Sequence, residues 1–144
     1  MHVAPLAVVG LGYNSLWQRH RRNYDRWARR FDRDARHLLT TLRRRGARHI
    51  VWVTLRRPTR RTIGPAGGSD LRDYAWYFGY VNERLHRLDR RRDELTLADW
   101  AKASRRPGLT YDAIHLTPEG ARLMTHTIRR AIHRDLHKRG TVRS

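Results

Sequence analysis

The sequence predicts an α/β domain of three layers, in which helices cover both faces of a parallel sheet. Three short runs of apolar residues alternate along the chain with stretches that have the spacing of amphipathic helices. Each run is apolar throughout, which is typical of strands buried on both faces. The repeated strand-helix order favours crossover connections and therefore parallel strands. A chain of 144 residues is long enough for one domain of this kind.

Apolar spacing and glycines define the first elements. Leu6 to Val9 is an apolar run closed by Gly10 and Gly12, and we interpret it as the first buried strand. A helical stripe follows, with Gly46 placed where a C-terminal cap would stand; it consists of Phe31, Ala35, Leu38, Leu39 and Leu42. The second strand is predicted from His49 to Leu55, where β-branched and aromatic residues are dense.

The second half repeats this order after a long loop, Arg56 to Asp70, which holds Pro58, Pro65 and the Gly67-Gly68 pair. A second helical stripe consists of Trp76, Tyr80, Val81, Leu85 and Leu88, and the third strand is predicted from Glu94 to Trp100. Thr117-Pro118-Glu119 opens the last helix with a hydroxyl cap, a proline and an acid. Its core stripe is predicted as Ala121, Met124, Ile128, Ala131, Ile132 and Leu136. We assign residues 1–137 to a single domain and 138–144 to a basic tail.

The chain is strongly basic. It has 32 Lys and Arg against 13 Asp and Glu, a formal net charge of +19, and only Lys102 and Lys138 are lysines. Such a charge points to nucleic acid, an anionic membrane or an acidic polymer as a partner of the arginine surface. The arginines run through the whole chain instead of forming one patch, however, which favours solvated faces, and no nucleic-acid-binding motif is present.

Several classes of protein are excluded or disfavoured. Without cysteine there is no disulfide and no thiolate metal site, and the nine histidines show no metal-ligand spacing, so we expect neither metal nor cofactor. No apolar run approaches the roughly 20 residues that span a bilayer. Pro5 to Leu11 lacks the basic leading region and cleavage site of a signal peptide. The default expectation is a cytoplasmic protein, or an extracytoplasmic one if an upstream segment carries a signal or membrane domain.

Polar side chains follow the carboxyl end of each predicted strand. In open α/β sheets, ligands bind at this edge. These residues are Gly12-Tyr13-Asn14-Ser15 after the first strand, Thr54-Leu55-Arg56 after the second, and Asp99-Trp100 after the third. The loop before the last helix adds Asp112 and His115. The sequence therefore predicts a site at this edge. The arginine-rich segment Arg56-Arg57-Pro58-Thr59-Arg60-Arg61 would border it; this segment could hold an anionic substrate or polymer, but we interpret it as a solvated loop.

Asp112 and His115 form the most informative pair. A carboxylate three positions before a histidine, on a turn that leads into a helix, can accept a hydrogen bond from the imidazole. This fixes the tautomer and leaves the other ring nitrogen free to act as a general base for a serine hydroxyl. The alternative is structural, with Asp112 capping the turn and His115 packed at the helix entrance.

The block Tyr111-Asp112-Ala113-Ile114-His115-Leu116-Thr117-Pro118-Glu119-Gly120-Ala121 resembles the last signature block of the SGNH (GDSL-type) hydrolases. There an Asp-x-x-His pair, followed by Leu-Thr-x-x-Gly, supplies the acid and base of a catalytic triad. Gly12-Tyr13-Asn14 resembles the Gly-x-Asn block of the same family. Leu97-Ala98-Asp99-Trp100 resembles a strand of its membrane-acyltransferase-associated branch. The resemblance implies a flavodoxin-like parallel sheet.

The resemblance also implies roles for individual residues. His115 would be the general base, Asp112 its orienting carboxylate, and Asn14 with the backbone near Gly12 part of the oxyanion hole. The substrate would be an acyl ester of a small molecule or glycan. Asn14 can also be interpreted as a turn residue, and Ser15 stands where the family usually has aspartate.

One part of the family pattern is missing. The Gly-Asp-Ser nucleophile block precedes the Gly-x-Asn block by many tens of residues in the family, whereas eleven residues precede Gly12 here. None of Ser15, Ser69, Ser104 and Ser144 is a good substitute, so the nucleophile stays unknown. Without the family's N-terminal strands the first strand would be an exposed sheet edge, a recognised aggregation hazard. We therefore expect that the sequence starts too late, or that a partner chain or a remodelled edge covers this strand.

Three functions follow from these observations. The first is an SGNH-type serine esterase or deacylase, incomplete on this chain. The second is a catalytically inactive remnant or binding domain of the same fold. The third is an arginine-rich binder of nucleic acid or another polyanion, whose affinity would fall steeply with salt.

Overall fold

The computed structural model describes residues 5–13, 24–62 and 75–140. Within these ranges one sheet holds three parallel strands in the order β1-β2-β3: β1 Leu6–Val9, β2 His49–Val53 and β3 Leu95–Ala98. The helices of the same ranges are α1 Tyr24–Arg44, α2 Ala75–Asp89, α3 Trp100–Ala103 and α4 Pro118–Gly140. The predicted α/β class with a parallel sheet is confirmed.

The sheet separates two apolar cores. One face carries Ala7, Val9, Ile50, Trp52, Leu95 and Leu97, which pack with apolar residues of α1 and α2. The other face carries Leu6, Val51, Val53 and Ala98, which pack with α4 and with Trp100 and Leu109. Because successive side chains of a strand point to opposite faces, three short strands serve both cores. Helices thus lie on both sides of the sheet in three layers, as predicted.

The first helix ends as the glycine predicted. Gly46 has φ +107°, a left-handed conformation that glycine adopts without steric cost. Its N–H donates to the carbonyl of Arg43 at 3.0 Å, and the N–H of Ala47 donates to the carbonyl of Leu42 at 3.0 Å. These two bonds form a Schellman motif, which ends α1 and turns the chain into β2.

Polar contacts fix α2 against its neighbours. The Asn82 side chain accepts the N–H of Leu55 at 2.7 Å and donates to the carbonyl of the same residue at 2.7 Å. It thereby satisfies both backbone groups just beyond β2, as a neighbouring strand would. Arg84 forms two hydrogen bonds with the Asp32 carboxylate of α1, one of them at 2.7 Å from Nε. These contacts hold the carboxyl end of β2 and the α1–α2 layer together.

The second and third strands are shorter than predicted. β2 ends at Val53 instead of Leu55. We predicted Glu94 to Trp100, but β3 ends at Ala98 and Trp100 begins α3. The reason lies in Asp99, whose carboxylate accepts the N–H of Lys102 at 3.1 Å and caps the short helix. Trp100 is nevertheless buried, at 1% exposure, because α3 turns its indole into the core shared with α4.

The predicted stripe of α4 is partly wrong. Met124, Ile128, Ala131 and Ile132 pack against the sheet together with Leu123, but Ala121 is exposed and Leu136 is 51% exposed. Asp135, and not Leu136, faces the sheet, and it is only 1% exposed. Its carboxylate is stabilised there because the hydroxyl of Thr96 in β3 donates a hydrogen bond to it at 2.7 Å. The helix also continues to Gly140, so residues 138–140 of the predicted tail are helical.

The first strand lies at the edge of the sheet. Among the described residues it pairs with β2 only, and Val8 is 48% exposed. The expectation that this strand is buried on both faces is therefore wrong for Val8. The core below α4 includes Leu6 but does not extend to Val8 on the same face of the strand. The described ranges contain no helix that is long and apolar enough to cross a membrane.

Candidate functional site

A tight loop between Gly108 and Thr117 carries the predicted acid–base pair. Thr110 and Leu116 form an antiparallel bridge, and the N–H of Tyr111 donates to the carbonyl of His115 at 2.8 Å. Between them Ala113 is buried and has φ +75°, a left-handed conformation that costs energy for a residue with a Cβ. The loop thus bends sharply enough to bring both ends of the Asp-x-x-His pattern together.

The Asp112 carboxylate binds three groups of its own loop. Its Oδ1 accepts the N–H of Ile114 at 3.0 Å and the N–H of His115 at 2.7 Å. Its Oδ2 lies 2.6 Å from Nδ1 of His115. The His115 side chain is 77% exposed, so the expectation that it packs at the helix entrance is wrong. Asp112 both caps the turn and orients the imidazole.

Hydrogen bonding sets the charge state of Asp112. Partial burial raises the pKa of this carboxyl, but the N–H of His115, the His115 ring and the N–H of Ile114 together lower the pKa below its usual value of 3.8. Hydrogen bonds to the ionised form favour that form. The carboxylate is therefore ionised at neutral pH, which a partner of an imidazolium requires.

This lowered pKa predicts a pH-dependent contribution to stability. The unfolded state binds more protons at acidic pH, so the contribution of Asp112 is complete above the usual value of 3.8 and is lost as the pH falls through the lower pKa of the folded state. Urea unfolding of the wild type and of Asp112→Asn, compared at each pH, should give a difference that shrinks below about pH 4. A difference that stays constant in acid would contradict this assignment, since all other titrating groups are common to both proteins.

Arg56 connects this loop to the sheet. It follows β2, and its guanidinium donates to Thr110, to the carbonyl of Ser104 at 3.0 Å and to the carbonyl of Arg106 at 2.8 Å. Its exposure is only 1%, so the interpretation of Arg56 as part of a solvated arginine-rich loop is wrong. The acid–base loop accordingly lies at the carboxyl end of β2, the edge predicted for the site.

The segment after β1 reaches the same region. The hydroxyl of Tyr13 accepts the N–H of Arg56 at 2.7 Å, and burial raises the pKa of Tyr13 to about 12, so this phenol is neutral. Gly12 has φ +137°, and a Cβ there would lie 2.9 Å from Cδ1 of Leu55. Asn14, the predicted oxyanion donor, and its neighbour Ser15 lie outside the described residues.

No described serine adjoins His115. Ser104 is fully buried, and its Oγ donates to the carbonyl of Trp100 at 2.5 Å at the end of α3. Its role is therefore structural. Ser15, Ser69 and Ser144 lie outside the described ranges. Asp99 is also structural, because its Oδ1 accepts both the hydroxyl of Thr54 at 3.2 Å and the N–H of Lys102.

The end of the block positions the last helix. Thr117 accepts the N–H of Gly120 at 3.1 Å and donates to the carbonyl of Gly108 at 2.8 Å, which confirms the predicted hydroxyl cap. Gly120 is buried, and a Cβ at this position would overlap the carbonyl oxygen of Leu109. The glycine of the block is therefore needed for the close approach of α4 to the strand-like segment before the acid–base loop.

Gly120→Ala should accordingly destabilise the protein by about 1–3 kcal/mol, the usual cost of overpacking against a group that has little room to move. Gly10→Ala is the matched control, because nothing lies within 4 Å of a Cβ at Gly10. Chemical denaturation of both variants measures the two costs. Equal stability of the two variants would show that α4 moves away from Leu109 without loss.

The described residues include no group of three or more His, Asp or Glu side chains arranged to hold a metal ion. His133 and His137 contact each other on α4, with their Nε2 atoms 3.0 Å apart. No protein-family model matches the chain, and no curated protein matches its sequence.

Proposed function

We propose that this chain carries the acid–base pair of an SGNH-type acyl-ester hydrolase, with His115 as the general base and Asp112 as its orienting carboxylate. The observation that carries the proposal is the 2.6 Å contact between Asp112 Oδ2 and Nδ1 of an exposed imidazole. It directs Nε2, the other ring nitrogen, away from the carboxylate, and no described residue hydrogen-bonds Nε2. The resemblance of residues 111–121 to the last SGNH block supports the same assignment.

The reaction follows from these positions. His115 Nε2 takes the proton of a serine hydroxyl as its oxygen attacks the acyl carbonyl, and the imidazolium is stabilised by the Asp112 carboxylate. The proton then passes to the leaving alcohol, which leaves the acyl group on the serine oxygen. In the second step His115 takes a proton from water as the water attacks this acyl ester, and the acyl group is released as a carboxylic acid while the proton returns to the serine. The backbone N–H near Gly12 and the side chain of Asn14 are the donors that we propose for the oxyanion. The serine comes from outside the described residues.

A small cleft next to Gly12 is the place that we propose for the acyl chain. Its volume is about 160 Å³. The lining is mostly apolar, with the charged side chains of Arg30 and Asp34 as its polar members; the large apolar residues are Leu11, Phe31, Leu38, Trp52 and Tyr77. Apolar walls with few polar groups are typical of sites that bind uncharged groups. Because the volume is small, the proposed substrates are esters of short acyl chains.

The proposal is tested by assaying hydrolysis of p-nitrophenyl acetate with two proteins, the 144-residue chain and a form extended by the codons upstream of Met1. A fluorophosphonate probe with peptide mapping then locates the nucleophile. We expect turnover, with label on one serine, in at least one of the two forms. Absence of turnover and label in both would overturn the hydrolase proposal.

A non-catalytic SGNH-like domain is the second candidate. The observation that favours it is Ser104, the serine that the described ranges contain, which is fully buried and bonded to Trp100 instead of to His115. In this case the exposed His115 would contribute to binding alone.

A further inference from the structure

A basic cleft opens beyond the carboxyl ends of β2 and β3, apart from the acid–base pair. Its volume is about 640 Å³, within the range of about 300–1,000 Å³ typical of small-molecule sites. The lining comes from the segment after β2, from α3 and the residues that follow it, and from His86 of α2. Its cationic members are Arg56, Arg57, Lys102 and Arg105.

The described acids do not neutralise the cations of this cleft. Among the described residues, Arg57, Lys102 and Arg105 have no carboxylate within salt-bridge distance. Asp99 is the one acid of the described lining, and it lies beyond salt-bridge distance of these three cations, so a single carboxylate faces four cationic side chains. Elsewhere on the chain arginines do meet acids, as Arg84 meets Asp32 and Arg106 meets Glu119.

Arg56 adds a buried positive charge to this excess of cationic side chains. Its guanidinium is 1% exposed and donates only to the uncharged oxygens of Ser104, Arg106 and Thr110, without a described carboxylate beside it. Burial lowers the pKa of Arg56, because the surrounding protein solvates the guanidinium charge less well than water does. A buried cation without a counter-ion is unfavourable, so an anion that enters the cleft would gain energy from it.

We propose that this cleft binds the phosphate groups of a small molecule. Arg57 and Lys102 would hold the anion by charge-assisted hydrogen bonds, while Arg56 supplies a fixed positive charge at the cleft wall. A nucleic acid is the less favoured ligand, because a polymer needs a continuous basic track, whereas these groups converge on one concavity. The proposal does not depend on hydrolase activity.

Calorimetric titration of the whole chain with inorganic pyrophosphate at about 0.15 M salt, where long-range charge effects are screened, tests the proposal. The double variant Arg57→Ala/Lys102→Ala should weaken pyrophosphate binding about tenfold or more, as expected for losing charge-assisted contacts. The matched control is Arg122→Ala/Arg129→Ala, which removes the same charge from exposed positions of α4 outside the cleft lining. The control should change the dissociation constant less than about twofold.

Three results would overturn the proposal. Equal weakening in both double variants would show that net charge alone attracts the anion. Absence of measurable pyrophosphate binding by the wild type would show that the cleft does not bind phosphate groups. Binding of a DNA oligonucleotide that pyrophosphate does not displace, with affinity reduced equally in both variants, would assign the arginines to a dispersed polyanion surface. Circular dichroism melting shows that each variant is folded before it is titrated.

Discussion

Replacement of His115 by alanine should reduce hydrolysis of a short acyl ester by about 10²–10⁴-fold, the usual contribution of a positioned general base. The imidazole is exposed and oriented through Nδ1 by Asp112, so its removal eliminates the group proposed to accept the serine proton without disturbing a buried core. The measurement is the steady-state rate with p-nitrophenyl acetate, made with whichever form of the protein shows turnover.

Two further variants separate catalysis from charge. His126→Ala removes an exposed histidine of α4 that no described carboxylate contacts, and its rate should equal that of the wild type. Asp112→Asn keeps an oxygen that accepts backbone N–H groups but loses the charge that stabilises the imidazolium, so its rate should also fall steeply. A His115→Ala protein as active as His126→Ala would exclude His115 from the reaction.

The acid–base pair was predictable from the sequence because it is local. Asp112 and His115 are three residues apart, and the turn between them is closed by hydrogen bonds within the same loop. The Thr117 cap and the Gly46 cap are local in the same sense, since each depends on a few neighbouring backbone groups. The apolar runs predicted the parallel strands because strands covered by helices are composed mostly of apolar residues.

Contacts between distant segments could not be predicted in this way. Arg56 stands in a run of arginines and has the sequence context of a solvated loop, yet three oxygens from residues about 50 positions away enclose its guanidinium. A signal was available in its position directly after the predicted second strand, His49 to Leu55, where side chains still point into the core. The exposure of Val8 likewise depends on how far α4 extends over β1, which helical periodicity does not specify.

Asp135 is the largest departure from the predicted core. It lies on α4 and faces the sheet near the amino end of β2, away from the acid–base loop at the carboxyl end. Its Oδ2 lies 2.5 Å from Nδ1 of His49, and its Oδ1 accepts the hydroxyl of Thr96 at 2.7 Å. Hydrophobic periodicity assigned the neighbouring Leu136 to the core, because a single buried carboxylate among arginines and histidines looks like a surface residue in sequence.

Removing this carboxylate should have the largest effect on stability. Asp135→Ala leaves the Thr96 hydroxyl and the His49 ring without their acceptor and opens a gap under α4. We therefore expect the free energy of unfolding to fall by about 3 kcal/mol. This value is near the lower end for breaking a buried pair, because the His49 side chain is 20% exposed. Asp34→Ala makes the same change of net charge at a carboxylate that is 57% exposed, and should cost less than about 1 kcal/mol. Urea unfolding measures both.

A second substitution distinguishes loss of the network from loss of volume. Thr96→Val removes one hydrogen bond to Asp135 and should cost about 1 kcal/mol in the wild type. In the Asp135→Ala background its cost should be smaller, because the hydroxyl then has no acceptor to lose. If the two costs simply add, or if Asp135→Ala is no more destabilising than Asp34→Ala, the buried carboxylate does not hold α4 to the sheet. Coupling between the two substitutions would show that the polar contact between Asp135 and Thr96 fixes the position of α4. Apolar periodicity cannot reveal this contact, although the first turn of the same helix supports the acid–base loop.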